Sequence, residues 1–297
     1  MTSQTETRLP TLDGRTVVVL DTNAARNLGE EEIEPTHVAT FESMARDGYL
    51  FSLADGAVAE LLNQRLGGQI SDTAYSRMLS RIERFLDTEL PMFPGASDIS
   101  AVIGGGAGAH PWSAENFHAV ADASMAYLRA ANDLADGGLG ERDRQRAAAA
   151  LQEARDGWIE HFGPMLLEFP PTDEDDELGG PTFEAFLRRA DEESPLPYPP
   201  FSTRLDLGLK FAWRQHVRKN RSVEPYDPTN RKKLNDGIDF ELYYFLMLPG
   251  LLVTSDKGFG VRLDPISSFQ RDWIWKPEEL AAAWSNGERP EPRWPSH

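Results

Sequence analysis

The sequence has no cysteine among its 297 residues, which excludes disulfide bonds and thiolate metal sites. Long hydrophobic runs are missing too. The longest, YYFLMLPGLLV at 243–253, is interrupted by proline and is shorter than the roughly 20 residues that a bilayer span needs. The first residues, MTSQTETRLPTLDGR, lack the apolar segment of a signal peptide. These absences lead us to expect a soluble, cytoplasmic protein with no membrane partner.

Basic residues are scarce, since 30 Lys and Arg stand against 48 Asp and Glu and give a formal net charge of −18. This balance disfavours nonspecific coating of nucleic acid, because phosphate binding depends mainly on Lys and Arg. The charge is unevenly distributed, however. Acidic runs at 30–34 and 173–177 are typical of solvated loops, whereas 210–233 holds eight bases against two acids. The basic segment is either a solvated face or a phosphate-binding surface.

The apolar fraction of 40% is that of a folded protein, and its pattern predicts strands that alternate with helices. The predicted strands are VVVL at 17–20, YLFSLAD at 49–55, ELPMF at 89–93 and LLVT at 251–254. Such alternation indicates a parallel sheet, so we predict a three-layer α/β sandwich with a central, mostly parallel sheet. Helical patterns and loops without strands predict a large helical insertion at 105–200, between core segments 1–104 and 201–297.

Two of the predicted strands run into an aspartate, Asp21 after VVVL and Asp256 after LLVT. The carboxyl ends of parallel strands open into the crevice where ligands bind, so neighbouring strands would bring these carboxylates together. Carboxylates held close repel one another unless protons or cations neutralise them. Oxygen ligands of this kind suit Mg²⁺ or Mn²⁺. The simpler alternative is a polar strand end at which Thr22 or Asn23 caps the next helix.

Two further acids fit the same pocket. Glu60 lies among the apolar residues of a predicted helix, and a surface position is its alternative interpretation. Asp239 precedes the helical FELYYFLML segment, where the helix dipole favours a carboxylate and an N-terminal cap is the alternative. Asp236, three residues earlier, competes with Asp239 for the same role.

Together VVVLDTN, AELL around Glu60, DFELYYF and LLVTSDKGF resemble the four acidic motifs of the PIN-domain nucleases. The resemblance covers roughly 15–100 and 235–262. It implies a small α/β sandwich with a carboxylate pocket that holds divalent metal ions and cleaves nucleic acid, most often RNA. It assigns the metal ligands and catalytic residues to Asp21, Glu60, Asp239 and Asp256. It places Thr22, Asn23 and Thr254 in supporting positions.

The activity that this resemblance implies is that of a single-strand endoribonuclease, with RNA favoured over DNA. One ion would activate a water, and a second, about 4 Å away, would stabilise the leaving oxygen of an in-line displacement. Phosphate binding is expected from the basic segment before Asp239, through Arg214, Arg218, Lys219, Arg221, Arg231, Lys232 and Lys233. Trp213 and Tyr226 are candidates for stacking on unpaired bases, with a core position the stronger expectation for Trp213.

Alternative functions differ in how well the sequence matches them. A haloacid-dehalogenase-like phosphatase needs a second aspartate where Asn23 stands, and IGGGAG lacks the Gly-Lys-Ser/Thr ending of a phosphate loop. A DNA-directed nuclease acting on flaps or single strands stays open. So does a toxin-like nuclease held by a basic inhibitor protein. The alternative of a different class is a non-catalytic scaffold that binds a protein partner through the helical insertion.

Overall fold

The computed structural model describes residues 14–93, 95, 99, 103, 114–132, 139–196, 198–221, 225–230, 233 and 235–295. In this part of the chain, five strands form one sheet. They are β1 (Thr16–Leu20), β2 (Tyr49–Ala54), β3 (Met92–Phe93), β4 (Gly250–Val253) and β5 (Ile274–Trp275). All neighbouring strands pair in parallel, in the order β3-β2-β1-β4-β5. The predicted α/β class and parallel sheet are confirmed, and β5 is a strand that the sequence pattern did not predict.

Helices make up most of the described chain, and with the sheet they are consistent with a three-layer sandwich. Those of the amino-terminal part are α1 (Thr22–Glu30), α2 (Thr36–Arg46), α3 (Asp55–Leu66) and α4 (Asp72–Ile82). The middle part contains α5 (Ala114–Ala130), α6 (Glu141–Glu168), α7 (Pro181–Glu193), α8 (Phe201–Arg204) and α9 (Asp206–Arg221). The carboxyl-terminal part contains α10 (Asp236–Tyr244), α11 (Lys257–Leu263) and α12 (Pro277–Ser285), with 3₁₀ turns at Phe245–Met247 and Phe269–Trp273. None of the helices described here combines the length and apolar character that a membrane crossing needs.

The central strand β1 is buried along Val17–Leu20, as expected of a strand covered on both faces of a parallel sheet. Such strands are continuous apolar runs because neither face meets water, which accounts for the VVVL sequence. The same burial extends over all six residues of β2, including one polar residue, Ser52. Its hydroxyl donates to the carbonyl oxygen of Leu90, 2.5 Å away, so the buried oxygen has a partner.

The strand order reverses between β1 and β4. From β1 the chain proceeds outward through β2 to β3, and it later returns to the opposite side of β1 with β4. Leu20 pairs with Val253 in this register, and the amide of Asp21 donates to the carbonyl oxygen of Val253 at 3.0 Å. Reversal points of this kind leave a crevice at the carboxyl ends of the strands. The two strands that end near Asp21 and Asp256 are therefore neighbours at that crevice, as the sequence predicted.

The region predicted as a helical insertion, 105–200, packs into the same core as the sheet. Its regular elements that the structure describes are the helices α5, α6 and α7. Helix α6 packs against α3 and α10, the two helices that carry Glu60 and Asp239. Trp158 and Phe162 of α6 belong to the main hydrophobic cluster. The glycine-rich segment at 104–112 lies outside the described residues.

Candidate active site

Asp21 follows β1 and is itself the N-cap of α1. Its backbone is extended, and its Oδ1 accepts from the amide of Ala24 at 2.7 Å. Its Oδ2 accepts from the hydroxyl of Thr254, and the residue is only 5% exposed. The expectation that Thr22 or Asn23 caps this helix is therefore wrong, because both residues already lie inside its first turn.

Thr22 instead connects α1 to α3. Its hydroxyl donates to the Glu60 carboxylate, and the threonine is buried beside Asp21. Glu60 is half-buried in this position, so it points toward the strand ends and is not a solvated surface residue. Asn23, the third residue predicted to support the site, is half-buried in the first turn of α1. The structure thus brings together three of the residues that the sequence predicted for the site: Asp21, Thr22 and Glu60.

Thr254 connects the ends of β1 and β4 through one hydroxyl group. It donates to Asp21, and its oxygen accepts from the amide of Asp256 at 3.1 Å. Asp256 in turn caps α11, because its Oδ1 accepts from the amide of Gly258 at 2.7 Å. The two aspartates are therefore held in place by the first turns of their own helices and by a shared hydroxyl.

Asp239 and Asp236 point to different surroundings, although both lie on the first turns of α10. The Asp239 carboxylate accepts from the guanidinium of Arg262, which also lies 3.6 Å from the Asp256 carboxylate. Asp236 is buried and accepts from the Tyr226 hydroxyl at 3.0 Å. That hydroxyl accepts from the indole of Trp158 on α6 at 2.7 Å. This geometry favours Asp239 as the fourth acid of the site and gives Asp236 a role in holding α10 against α6.

The acids influence one another electrostatically. Burial raises the pKa of Asp21 to about 6, against the lowering effect of its hydrogen bonds from Thr254 and Ala24. Burial also raises the pKa of Asp239 to about 7, although the Arg262 guanidinium opposes the shift. Repulsion by Asp256 and by Glu60 contributes to the raised pKa of both aspartates. Burial raises the pKa of Glu60 as well. The four acids are therefore close enough to oppose one another's ionisation.

The residues fit a hard divalent cation in chemistry and in charge. The side-chain atoms that could bind a metal ion here are all oxygens, which are the ligands that Mg²⁺ and Mn²⁺ prefer. They belong to the carboxylates of Asp21, Glu60, Asp239 and Asp256 and to the hydroxyl of Thr254. A cation already lies among them, since the Arg262 guanidinium bridges two of the four acids. In the described part of the chain, no three Asp, Glu or His side chains converge closely enough to hold one ion. Ion binding would therefore draw the carboxylates closer together.

Where the structure describes it, the basic segment predicted to bind phosphate makes contacts within the protein. Arg214 pairs with Glu177 at 2.9 Å, and Arg218 lies 4.0 Å from the same carboxylate. Arg221 donates to backbone carbonyls of Asp175 and Thr172. The Lys219 ammonium lies 5.7 Å from the centre of the Phe162 ring. Burial raises the pKa of Asp236, and Lys233 lies close enough to oppose that rise; Arg231 and Lys232 lie outside the described residues.

The acidic run at 173–177 is thus the internal counterpart of the basic helix α9, and not only a solvated loop. Trp213 is fully buried, as expected, and its indole donates to the carbonyl oxygen of Asp176 at 3.0 Å. Tyr226 is 5% exposed and hydrogen-bonded on both sides. The expectation that Tyr226 stacks on nucleic-acid bases is therefore wrong for this arrangement, because its ring is enclosed.

Three arginines near the carboxylates were missed by the sequence analysis. Arg262 contacts Asp239 directly, while Arg155 of α6 and Arg26 of α1 each oppose the rise that burial causes in the pKa of Glu60. Two of them follow a strand-end aspartate by one to two helical turns: Arg26 comes five residues after Asp21, and Arg262 six residues after Asp256. An arginine within two helical turns after each strand-end aspartate was the available signal. Arg155 had none, because its approach depends on how α6 packs.

Comparisons of the chain with protein-family models, with curated proteins and with solved structures found no match.

Proposed function

We propose that the protein is a divalent-metal-dependent nuclease of the PIN-like type, acting on single-stranded nucleic acid, with RNA favoured over DNA. One observation carries the proposal: four acids from separate segments lie near the point where the strand order of a parallel sheet reverses, and repulsion by Asp256 and Glu60 adds to the effect of burial on the pKa of Asp21 and of Asp239. Asp21 and Asp256 follow the two central strands, while Glu60 and Asp239 come from the helices that flank them. Dense negative charge at a crevice of this kind calls for a cation.

Asp21, Glu60, Asp239 and Asp256 would hold the metal. When bound, Mg²⁺ or Mn²⁺ supplies Lewis-acid chemistry for phosphodiester hydrolysis and lowers the pKa of a water nucleophile. Thr254 and the α1 amide of Ala24 fix the orientation of the Asp21 carboxylate, and Thr22 fixes that of Glu60. These hydrogen bonds keep the carboxylates ionised against the effect of burial, which favours metal binding because the metal needs the deprotonated form.

Phosphate contact is assigned, in this proposal, to the arginines around the pocket. Arg26, Arg155 and Arg262 come from three different helices and lie close enough to the acids to lower the pKa of Glu60 or of Asp239. Arg155 also donates to the side chain of Asn235 at 3.1 Å, so it extends from α6 toward the start of α10. The basic side chains of α9 contact the 172–177 segment instead: Arg214 pairs with Glu177, and Arg221 donates to the carbonyl oxygen of Asp175.

A non-catalytic scaffold is the second candidate, and the Arg262 contact is the observation that favours it. A guanidinium that permanently neutralises Asp239 and Asp256 would make a metal unnecessary for the stability of the pocket. Such a protein would keep the fold and bind a partner without hydrolysis. The two candidates differ in one measurable property, because only the nuclease depends on a divalent ion.

The test is cleavage of labelled single-stranded RNA and of single-stranded DNA by wild-type protein, in Mn²⁺ and in EDTA. We expect cleavage in Mn²⁺ only, and a loss of at least about 100-fold in Asp256→Asn, the scale on which positioned electrostatic groups act. Asp264→Asn is the matched control, since Asp264 is an exposed carboxylate at the other end of α11. It should cleave like wild type.

Three results would count against the nuclease. Cleavage that persists in EDTA would exclude a metal-dependent pocket. Cleavage that is unchanged in Asp256→Asn would place the activity elsewhere. Absence of Mn²⁺-dependent cleavage of either substrate by correctly folded protein would favour the scaffold. Preference between the RNA and DNA substrates in the same assay decides between the endoribonuclease and the DNA-directed alternative.

A further inference from the structure

Arg262 lies across one half of the carboxylate pocket. Its Nη2 donates to Asp239 and lies 3.6 Å from the Asp256 carboxylate, and its side chain is three-quarters buried. The arginine belongs to α11, the helix that Asp256 itself caps. Its carbonyl oxygen accepts from Arg214 at 3.3 Å, which ties α11 to α9. The guanidinium is therefore anchored through its helix as well as through its ion pairs.

The other half of the pocket has no such direct contact with a cation. Among the described residues, neither Asp21 nor Glu60 has a basic side chain within ion-pair distance, and their hydrogen-bond donors are the neutral groups of Thr254, Ala24 and Thr22. The arginines nearest to Glu60 act on it only from beyond that distance. The four acids are thus divided into a pair in contact with arginine and a pair that is not. Buried carboxylates without a direct ion-pair partner are the ones that gain most from a bound cation.

We propose that Arg262 is the resident cation of the Asp239–Asp256 half, so that the pocket takes one divalent ion, on the Asp21–Glu60 side, and not two. This inference rests on the proposed function. A second ion at the usual spacing would meet the guanidinium as a neighbouring positive charge. Otherwise the second ion would have to displace the guanidinium. The charge-assisted contacts of Arg262 with the two aspartates would then be lost, and the second ion would bind about 10- to 100-fold more weakly.

The test counts the Mn²⁺ ions bound by the full-length chain near neutral pH, by isothermal titration calorimetry and by the electron paramagnetic resonance signal of free Mn²⁺. Wild type should bind one ion, with no second ion at comparable affinity. Arg262→Met should bind two, because the vacated carboxylates are then available. Arg262→Lys keeps the positive charge and should still bind one. Arg189→Met removes an exposed arginine paired with Glu193 on α7, and it should behave like wild type.

Two ions of similar affinity in wild type would overturn the inference, and so would a single ion in folded Arg262→Met. The wild-type count decides the matter even if Arg262→Met fails to fold. These outcomes are separate from those of the proposed function. Two ions with Mn²⁺-dependent cleavage would leave the nuclease intact and remove only the role of Arg262. No bound ion and no cleavage would overturn both.

Discussion

Replacing Asp21 with asparagine should stabilise the metal-free protein and, in the same variant, abolish its cleavage of nucleic acid. The pKa of Asp21 rises from 3.8 to about 6 in the folded protein, chiefly through burial. The folded protein therefore holds this proton more tightly than the unfolded chain does. The contribution of Asp21 to the free energy of unfolding falls as the pH rises from about 4 through about 6, and it stays low above about 7.

Asparagine carries no charge, so the variant does not lose stability through ionisation of this side chain as the pH rises. The asparagine oxygen can still accept a hydrogen bond from the Ala24 amide. A shift of about two pKa units corresponds to about 3 kcal/mol, so the variant should be more stable by up to that amount at pH 8. The difference should shrink toward zero near pH 4. Urea unfolding in EDTA at both pH values measures it. Asp264→Asn, at an exposed position, should change the free energy of unfolding by less than about 0.5 kcal/mol at either pH.

Mn²⁺ should reverse the order of stability, because it binds the folded wild type and not the variant. Cleavage by Asp21→Asn should fall at least about 100-fold. An Asp21→Asn variant that is less stable than wild type at pH 8, or a difference that does not change with pH, would contradict this account of the buried carboxylate.

The second large effect is expected at Gly237, which sets the position of the helix that carries Asp239. A Cβ atom at Gly237 would lie 2.6 Å from the carbonyl oxygen of Ala154 and 2.7 Å from the Cβ of Trp158. Neither atom belongs to a flexible side-chain end, so α10 would have to move away from α6. Overpacking of this kind costs about 1–3 kcal/mol, and the displacement should also reduce cleavage because Asp239 lies two residues further on.

Gly157→Ala is the matched control for this prediction. Gly157 lies on α6 near the same contact, but a Cβ there would meet nothing within 4 Å. Because alanine is the better helix former, this variant should be more stable by up to about 1 kcal/mol and should cleave normally. Thermal unfolding and initial cleavage rates give both comparisons. Equal behaviour of Gly237→Ala and Gly157→Ala would show that the close approach of α6 does not position Asp239.

The features that the sequence predicted best are those with a local signal. The apolar runs of β1 and β4 are long enough to identify a buried strand, and an aspartate follows directly after β1 and three residues after β4. The prediction that the two aspartates come together required the two strands to be neighbours, and the sheet order meets that condition. Strand β5 has two residues, too few for any periodic pattern, so it could not be predicted in the same way.

Features that depend on distant partners were missed. The sequence around Asp21 offers three good capping residues; Asp21 is the one that caps α1, while the Thr22 hydroxyl donates to Glu60, 38 positions away. Considered alone, the acidic runs suggested solvated loops, and the basic run suggested either a solvated face or a phosphate-binding surface. Their pairing, as in Glu177 with Arg214, follows from the packing of α9 against the 172–177 segment. Arg262 was overlooked for the same reason, since charge composition does not say which carboxylate an arginine meets.

The most direct test of the metal pocket is Mn²⁺ anomalous diffraction from crystals soaked at millimolar Mn²⁺. We predict an anomalous peak at the carboxyl ends of β1 and β4, bonded to the Asp21 carboxylate. Density for the Arg262 guanidinium should remain on Asp239. A well-ordered pocket with no peak near Asp21, in crystals of protein that cleaves nucleic acid, would contradict the assignment of the four acids as the metal site.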